Sequence, residues 1–184
     1  SRHPDADLRS RRFLSRRVRS LIVHSPAAKT AVVETYRVPP ERVVAVLMGN
    51  YVATYPNHAS REESRRRLQL PADAFVFLYF GSVRPYKGIE DLFASFSQLA
   101  DPRTYLVVAG AAPEPEYLES LRARAAGAPR VRFEGRFIPV EEVQFFFNAA
   151  DAVVLPFKDV LTSGSLVLAM SFGRMIVAPR LGCI

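Results

Sequence analysis

Residues 77–96 read FLYFGSVRPYKGIEDLFASF, and the character of the chain changes halfway along. The apolar run that opens the stretch stops at Gly81. Two cations, Arg84 and Lys87, follow at once. From Gly88 onward the apolar residues Ile89, Leu92, Phe93, Phe96 and Leu99 recur at helical spacing, with Glu90 and Asp91 at the end where the helix dipole favours acids. The stretch therefore predicts a strand, a short loop and a helix. An ordinary strand-to-helix turn needs only something small and polar, so the paired cations ask for a further reason.

Outward from this stretch the same unit repeats. Short β-rich runs fall at 20–25, 42–48, 75–80, 104–110, 130–135, 151–157 and 174–179. They are continuous apolar runs, the sign of strands buried on both faces. Helical patterns separate them at 26–36, 61–69, 88–100, 114–126, 140–149 and 163–173. Such alternation implies an α/β fold with a doubly wound parallel sheet covered by helices. The segment 49–60, GNYVATYPNHAS, is polar, holds Gly49 and Pro56, and is long for a loop inside one compact domain. It is read as a linker between the tail of a first α/β domain (1–48) and most of a second (61–184). The chain opens on Ser1 and stops just after an apolar run, so a piece of a longer protein is expected.

Composition excludes several classes. The chain has 184 residues, 49% of them hydrophobic, which rules out disorder. One cysteine, Cys183, gives no internal disulfide framework and fits a reducing compartment. No apolar run reaches the roughly 18–20 residues of a membrane span. His3, His24 and His58 lack metal-ligand spacing, so no metal is expected. Neither a Walker-type loop nor a GxGxxG motif is present, nor a G-x-S-x-G elbow. The net charge of +7 is concentrated in arginines at 2, 9, 11, 12, 16, 17 and 19 and in Arg65–Arg67. These clusters either attract anions or form solvated helix faces. Aromatic residues are not interleaved with them as a single-stranded nucleic-acid groove requires, so no nucleic acid is expected.

In an open parallel sheet, ligands bind beyond the carboxyl ends of the strands, and three loops gather there. After strand 75–80 come Gly81, Arg84 and Lys87. A guanidinium fork and a compact ammonium suit a diphosphate, although both also occur as plain surface charges. After strand 151–157 come Asp159, Thr162, Ser163, Gly164 and Ser165, where the next helix should start. Unsatisfied N–H groups at a helix start can hold phosphate or sugar oxygens, and one serine there can equally be a simple cap. After strand 130–135 come Arg136, Phe137 and Ile138, in a loop able to offer main-chain groups to a base, or serving only as a connection.

Taken in order, FGSVRPYKGIEDLFASF, YLVVAG, VRFEGRFIPVEEVQFFFNAADAVVLPF and TSGSLVLAMSFGRMIVAP resemble the nucleotide-sugar-dependent glycosyltransferases of GT-B architecture, especially family 4. Upstream, ADLRSRRFLSRRVRSLIVHS and YRVPPERVVAVLMGNY look like the end of that family's first Rossmann-like domain and its crossing into the second. The resemblance implies a retaining transferase that moves sugar from a nucleoside-diphosphate sugar to a glycan or lipid-linked acceptor in cell-surface polysaccharide or glycoconjugate synthesis. It implies no cofactor beyond that donor and nominates no nucleophile. The diphosphate falls to Gly81, Arg84, Lys87, Ser163, Gly164 and Ser165, and the base to Arg136, Phe137 and Ile138. A cytoplasmic protein is implied, peripheral on the inner face of the membrane, with residues 9–19 resting on anionic lipid. Because the catalytic cleft of the family lies between two domains, residues 1–184 alone are expected to be inactive.

The sequence departs from the family at two places. The usual arginine follows the glycine directly; here Ser82 stands there and the arginine is Arg84. Many members carry two glutamates eight positions apart, and the aligned residues here are Val160 and Leu168. Neither side chain accepts a hydrogen bond, so donor-sugar or ribose recognition is expected to rest on Asp159, Thr162, Ser163 and Ser165. An epimerase of the same fold and a non-catalytic binding module remain as alternatives.

Overall fold

The computed structural model describes residues 4–160 and 162–182. The chain divides into two compact units. The second comprises Asn50–Asp159 and Ser163–Pro179, and the first is the rest of the described chain.

In the first unit, α1 (Pro4–Arg17) leads to β1 (Leu21–Val23), α2 (Pro26–Tyr36), a 3-10 turn over Pro40–Arg42 and β2 (Val43–Ala45). β1 and β2 pair in parallel, Leu21 opposite Val43. α2 starts where Ser25 Oγ accepts the Ala28 N–H at 2.9 Å and Pro26 sets the first helical φ. Not all the arginines here face solvent freely: Arg12 Nε donates to Thr35 O at 2.9 Å. The Arg42 guanidinium donates to carbonyls at the end of α1, among them Arg16 O and Val18 O, the groups a helix leaves unsatisfied there.

In the second unit, α3 (Arg61–Arg67) precedes β3 (Phe75–Phe80), α4 (Ile89–Ser97), β4 (Thr104–Ala109), α5 (Pro115–Ala126), β5 (Val131–Glu134), α6 (Val140–Ala149), β6 (Ala152–Val154), α7 (Gly164–Ser171) and β7 (Met175–Val177). The sheet order is β5-β4-β3-β6-β7, with every pairing parallel. The chain winds outward from β3 to β5, then crosses back so that β6 lies on the other side of β3. Strand order therefore reverses between β3 and β6, the point in such sheets where a crevice opens at the strands' carboxyl ends. Val76, Leu78, Leu106, Val108 and Val153 are fully buried between the helix layers. This is the expected doubly wound α/β sheet.

Several elements are shorter than their sequence patterns. α4 stops at Ser97, which leaves Leu99 beyond the helix and 39% exposed rather than on its apolar face. Strand pairing in β6 ends at Val154; Pro156 beyond it has no N–H to extend a ladder.

The cluster at Arg65–Arg67 needs a correction. Arg65 is 2% exposed and is no surface cation. Its guanidinium donates to Asp151 Oδ2 at 2.8 Å, to Ala149 O at 3.2 Å and to Ala72 O. Burial and the neighbouring Arg61 charge pull its pKa below the ordinary arginine value, and Asp151 opposes that shift. Arg67 lies 4.3 Å from the Phe145 ring centre, a cation–π arrangement. An arginine next in sequence to an exposed one, Arg66, can thus be a structural pin.

Candidate functional site

The site lies within the second unit and grows from the turn after β3. Gly81 has φ +144, and its N–H donates to Ala109 O at 3.0 Å. Tyr79, buried at the end of β3, donates its hydroxyl to Ser82 O at 2.8 Å and so fixes the turn. Burial pushes the Tyr79 phenol far above its ordinary pKa, which keeps that donor proton in place. Val83 N–H then donates to Ala111 O at 2.9 Å. The neighbouring strand exit is as tight: Gly110 has φ +147, and a side chain there would run into the Gly81 carbonyl. Only glycine fits such a pair.

The loop continues into a 3-10 turn, Pro85–Lys87, closed by Gly88 at φ +75. A Cβ on Gly88 would collide with the carbonyl of Pro156, in the loop after β6. That loop returns the contact, since Lys158 N–H donates to Tyr86 O at 3.2 Å. The two loops flanking the switch point are thus stitched together main chain to main chain.

Lys87 is half-buried, with Nζ 4.0 Å from the Phe157 ring centre and 5.2 Å from that of Tyr86. Among the described residues it has no carboxylate partner. Burial lowers its pKa from the usual lysine value. Arg84 is exposed and, among the described residues, donates only from Nε to Ser82 Oγ, at 3.3 Å. Lys158, by contrast, is paired with Asp91 at 2.9 Å on the surface. A partly desolvated ammonium with aromatic faces and, among the described residues, no carboxylate partner is a place for an anion to bind.

The start of α7 meets the same turn. Ser163 is buried and caps the helix, its Oγ accepting the Leu166 N–H at 3.2 Å. One hydroxyl of the expected donor set is therefore engaged as an acceptor in the fold. Gly164 and Ser165 are the first two helical residues, whose N–H groups have no intrahelical acceptor. A Cβ built on Gly81 would lie 2.6 Å from Ser165 Oγ. The glycine turn and the helix start, 84 residues apart in sequence, are in direct contact.

Beside Gly81 a cavity of about 280 Å³ opens between Phe80, Ser82, Ala111, Ile138 and Tyr55. Phe137 also borders it and is 74% exposed. Arg136 is committed elsewhere, to Glu142 at 2.6 Å and Glu134 at 3.1 Å, and these carboxylates raise its pKa. Asp159 is exposed. Thr162 belongs to the first unit. Of the two positions where the family resemblance places glutamates, Leu168 is 6% exposed and packs in the core beneath α7. A larger recess of about 480 Å³ lies at the opposite end of the sheet, near Phe96, Arg124 and Arg130. Arg130 there already donates to Leu99 O, Asp101 O and Thr104 Oγ1, so its charge is spent on the fold.

Sequence reasoning missed Tyr79, Phe157 and Tyr55. The first two look like ordinary strand residues, and Tyr55 lies in the stretch read as linker. That stretch is held by the second unit: Gln144 Oε1 accepts both the His58 and Ala59 N–H groups at 3.0 Å, and Asn148 Nδ2 donates to Ala59 O at 2.9 Å. Gln144 and Asn148, polar residues among the buried apolar positions of α6, were the available signal. Among the described residues no group of acidic, histidine or cysteine side chains is placed to hold a metal, and no helix is long and apolar enough to cross a membrane.

A doubly wound parallel sheet with a glycine turn and an open helix start at its switch point matches the Rossmann-like C-terminal domain of a GT-B fold. The chain belongs to the family described as glycosyl transferases group 1, whose model matches residues 74–184. It is 32% identical over 102 residues to a GDP-mannose:glycolipid 4-beta-D-mannosyltransferase of Xanthomonas campestris pv. campestris, covering 55% of this chain and 29% of that protein. It is 30% identical over 182 residues to a D-inositol 3-phosphate glycosyltransferase of Streptomyces scabiei, covering 88% of this chain and 41% of that one. The chain thus spans less than half the length of either relative. Among solved structures it is similar to Anabaena Alr3699/HepE, crystallised with UDP-glucose, at a TM-score of 0.84 and 24% identity over 98% of this chain and 50% of that one.

Proposed function

We propose that the second unit binds the donor of a sugar-transfer reaction, a nucleoside-diphosphate sugar, with its diphosphate between Lys87 and the start of α7. The contact between Gly81 and Ser165 carries this reading, because it joins the cationic loop to a ring of main-chain donors. As the glycosidic phosphate leaves, negative charge grows on the diphosphate. A preorganised ammonium and N–H groups in a partly desolvated site stabilise that charge without needing a metal. Gly81, Arg84, Lys87, Ser163, Gly164 and Ser165 form the diphosphate side, and Asp159 the sugar and ribose side. Phe137 and Ile138 border the cavity that suits the base, and the main chain at Arg136 lies next to it.

The acceptor proposed is a glycan or a lipid-linked glycan, in synthesis of a cell-surface polysaccharide or glycoconjugate, with retention at the anomeric carbon. The glycolipid named for the Xanthomonas relative supports the acceptor class. A cytoplasmic, peripheral position on the membrane's inner face fits α1, which exposes Phe13 and Leu14 beside Arg9 and Arg16. Apolar residues flanked by arginines suit an anionic headgroup layer. The domain division proposed is 1–48 for the acceptor-side domain, 49–60 for the linker and 61–184 for the donor domain. Because it spans less than half the length of the relatives above, this chain alone is proposed to bind donor without transferring sugar.

The expected result in scanning fluorimetry is that UDP or GDP, and the matching nucleotide sugars, raise the melting temperature of this chain. In the whole protein, nucleotide release should require an added glycan acceptor, and the product anomer reports retention or inversion. Nucleotide binding without release under any acceptor would select the binding-module reading, which the apolar Val160 and Leu168 favour. Conversion of donor alone would select an epimerase.

A further inference from the structure

Tyr51 stands along α7, its main chain bonded near the helix end and its hydroxyl reaching the helix start. Its main-chain N–H donates to Ser171 Oγ at 2.9 Å, and that hydroxyl in turn donates to Val167 O at 2.7 Å. The ring is edge-on to Tyr55, 5.8 Å between centroids at 81°. At the far end, Tyr51 Oη lies 3.6 Å from where a Cβ on Gly164 would stand. The side chain is half-buried. Among the described residues its hydroxyl has no hydrogen-bond partner, and it is open to solvent and free to take one.

We infer that Tyr51 is a donor-binding residue whose hydroxyl donates a hydrogen bond to the diphosphate at the start of α7. The inference rests on the donor-site reading and adds to it a residue from the segment between the two series of strands. Three facts converge. The phenol is fixed at ring and main chain, so little rotamer freedom is lost on binding. It reaches the first residue of a helix whose free N–H groups and dipole already address an anion. Its one polar atom is unspent. Gly164 has no side chain to block the approach, and a branched residue there would fill the space the hydroxyl faces.

The test compares the wild-type chain with Tyr51→Phe and Lys87→Ala, each titrated calorimetrically with UDP and GDP and melted without ligand. Tyr51→Phe removes one oxygen that bonds nothing in the free protein, so its melting temperature without ligand should equal that of wild type. Its dissociation constant for the nucleotide that binds wild type should rise about tenfold, the loss expected for one hydrogen bond to a charged group. Unchanged affinity in Tyr51→Phe alongside weakened binding in Lys87→Ala would overturn the role of Tyr51 and leave the donor site standing. A lower melting temperature without ligand, with affinity unchanged, would assign the hydroxyl to the fold and overturn it equally. If wild type binds neither nucleotide, the donor-site reading itself fails and the inference with it.

Discussion

Asp151→Ala is expected to lower the unfolding free energy by about 3–5 kcal/mol, the usual loss when one partner of a buried ion pair is removed. Asp151 accepts from Arg65 at 2.8 Å and Arg61 at 2.6 Å, and its Oδ2 also accepts the Val76 N–H at 2.7 Å. Arg65 is 2% exposed, so the deletion strands a guanidinium in the interior with only carbonyls as partners. It also strips the first residues of β3 of an acceptor. Arg61, half in solvent, adds little. Asp151→Asn keeps the shape and one acceptor oxygen but removes the charge, and its loss should be smaller. Guanidinium unfolding followed by far-ultraviolet circular dichroism measures both. A loss under 1 kcal/mol for Asp151→Ala would show that Arg65 does not depend on this carboxylate.

Lys87→Ala is expected to weaken nucleoside-diphosphate binding by roughly 10- to 100-fold, the range for a hydrogen bond to a charged group. The pH dependence gives the loss a signature. Burial holds Lys87 below the ordinary lysine value of 10.5 in the free protein, and a bound diphosphate favours the charged form. Affinity should therefore be level well below the lowered pKa and fall as pH rises through it, earlier than an exposed lysine would allow. Stability of the free protein moves the other way. Between the lowered folded pKa and the unfolded value, the unfolded chain binds more protons, so Lys87 makes unfolding less favourable as pH climbs through that window. Lys87→Ala should abolish both slopes. Calorimetric titrations across the alkaline range, paired with unfolding curves, would show it; an unchanged affinity profile in the variant would remove Lys87 from the site.

Much of this architecture was legible in the sequence because the local signals agree with one another. The run at 75–80 is continuous and apolar because β3 is central in the sheet, between β4 and β6. Glycines at 81 and 88 mark backbone conformations that other residues resist. The convergence of the Gly81 and Ser165 loops followed from a general rule about parallel sheets, not from any residue pair. What stayed hidden was set by tertiary partners. Arg65 carries the same side chain as its solvated neighbour Arg66, and only the distant Asp151 makes it a pin. Leu99 continues a helical period that the chain abandons at Ser97. Tyr51 and Tyr55 sit in a polar segment whose composition says loop, and nothing local announces that α6 and α7 hold it. The capping role of Ser163 was the plainer of two readings, and the fold uses that one; the N–H groups next to it stay open for the other.

The central claim is that one anion is held jointly by the lysine of the turn after β3 and by the first amides of α7. A crystal structure of this chain with bound UDP or GDP tests it most directly. The diphosphate should lie about 3 Å from Lys87 Nζ and, at the same time, from the main-chain nitrogen of Gly164 or Ser165. A nucleotide whose phosphates touch only one of the two, or that settles in the recess near Arg130, would contradict the account.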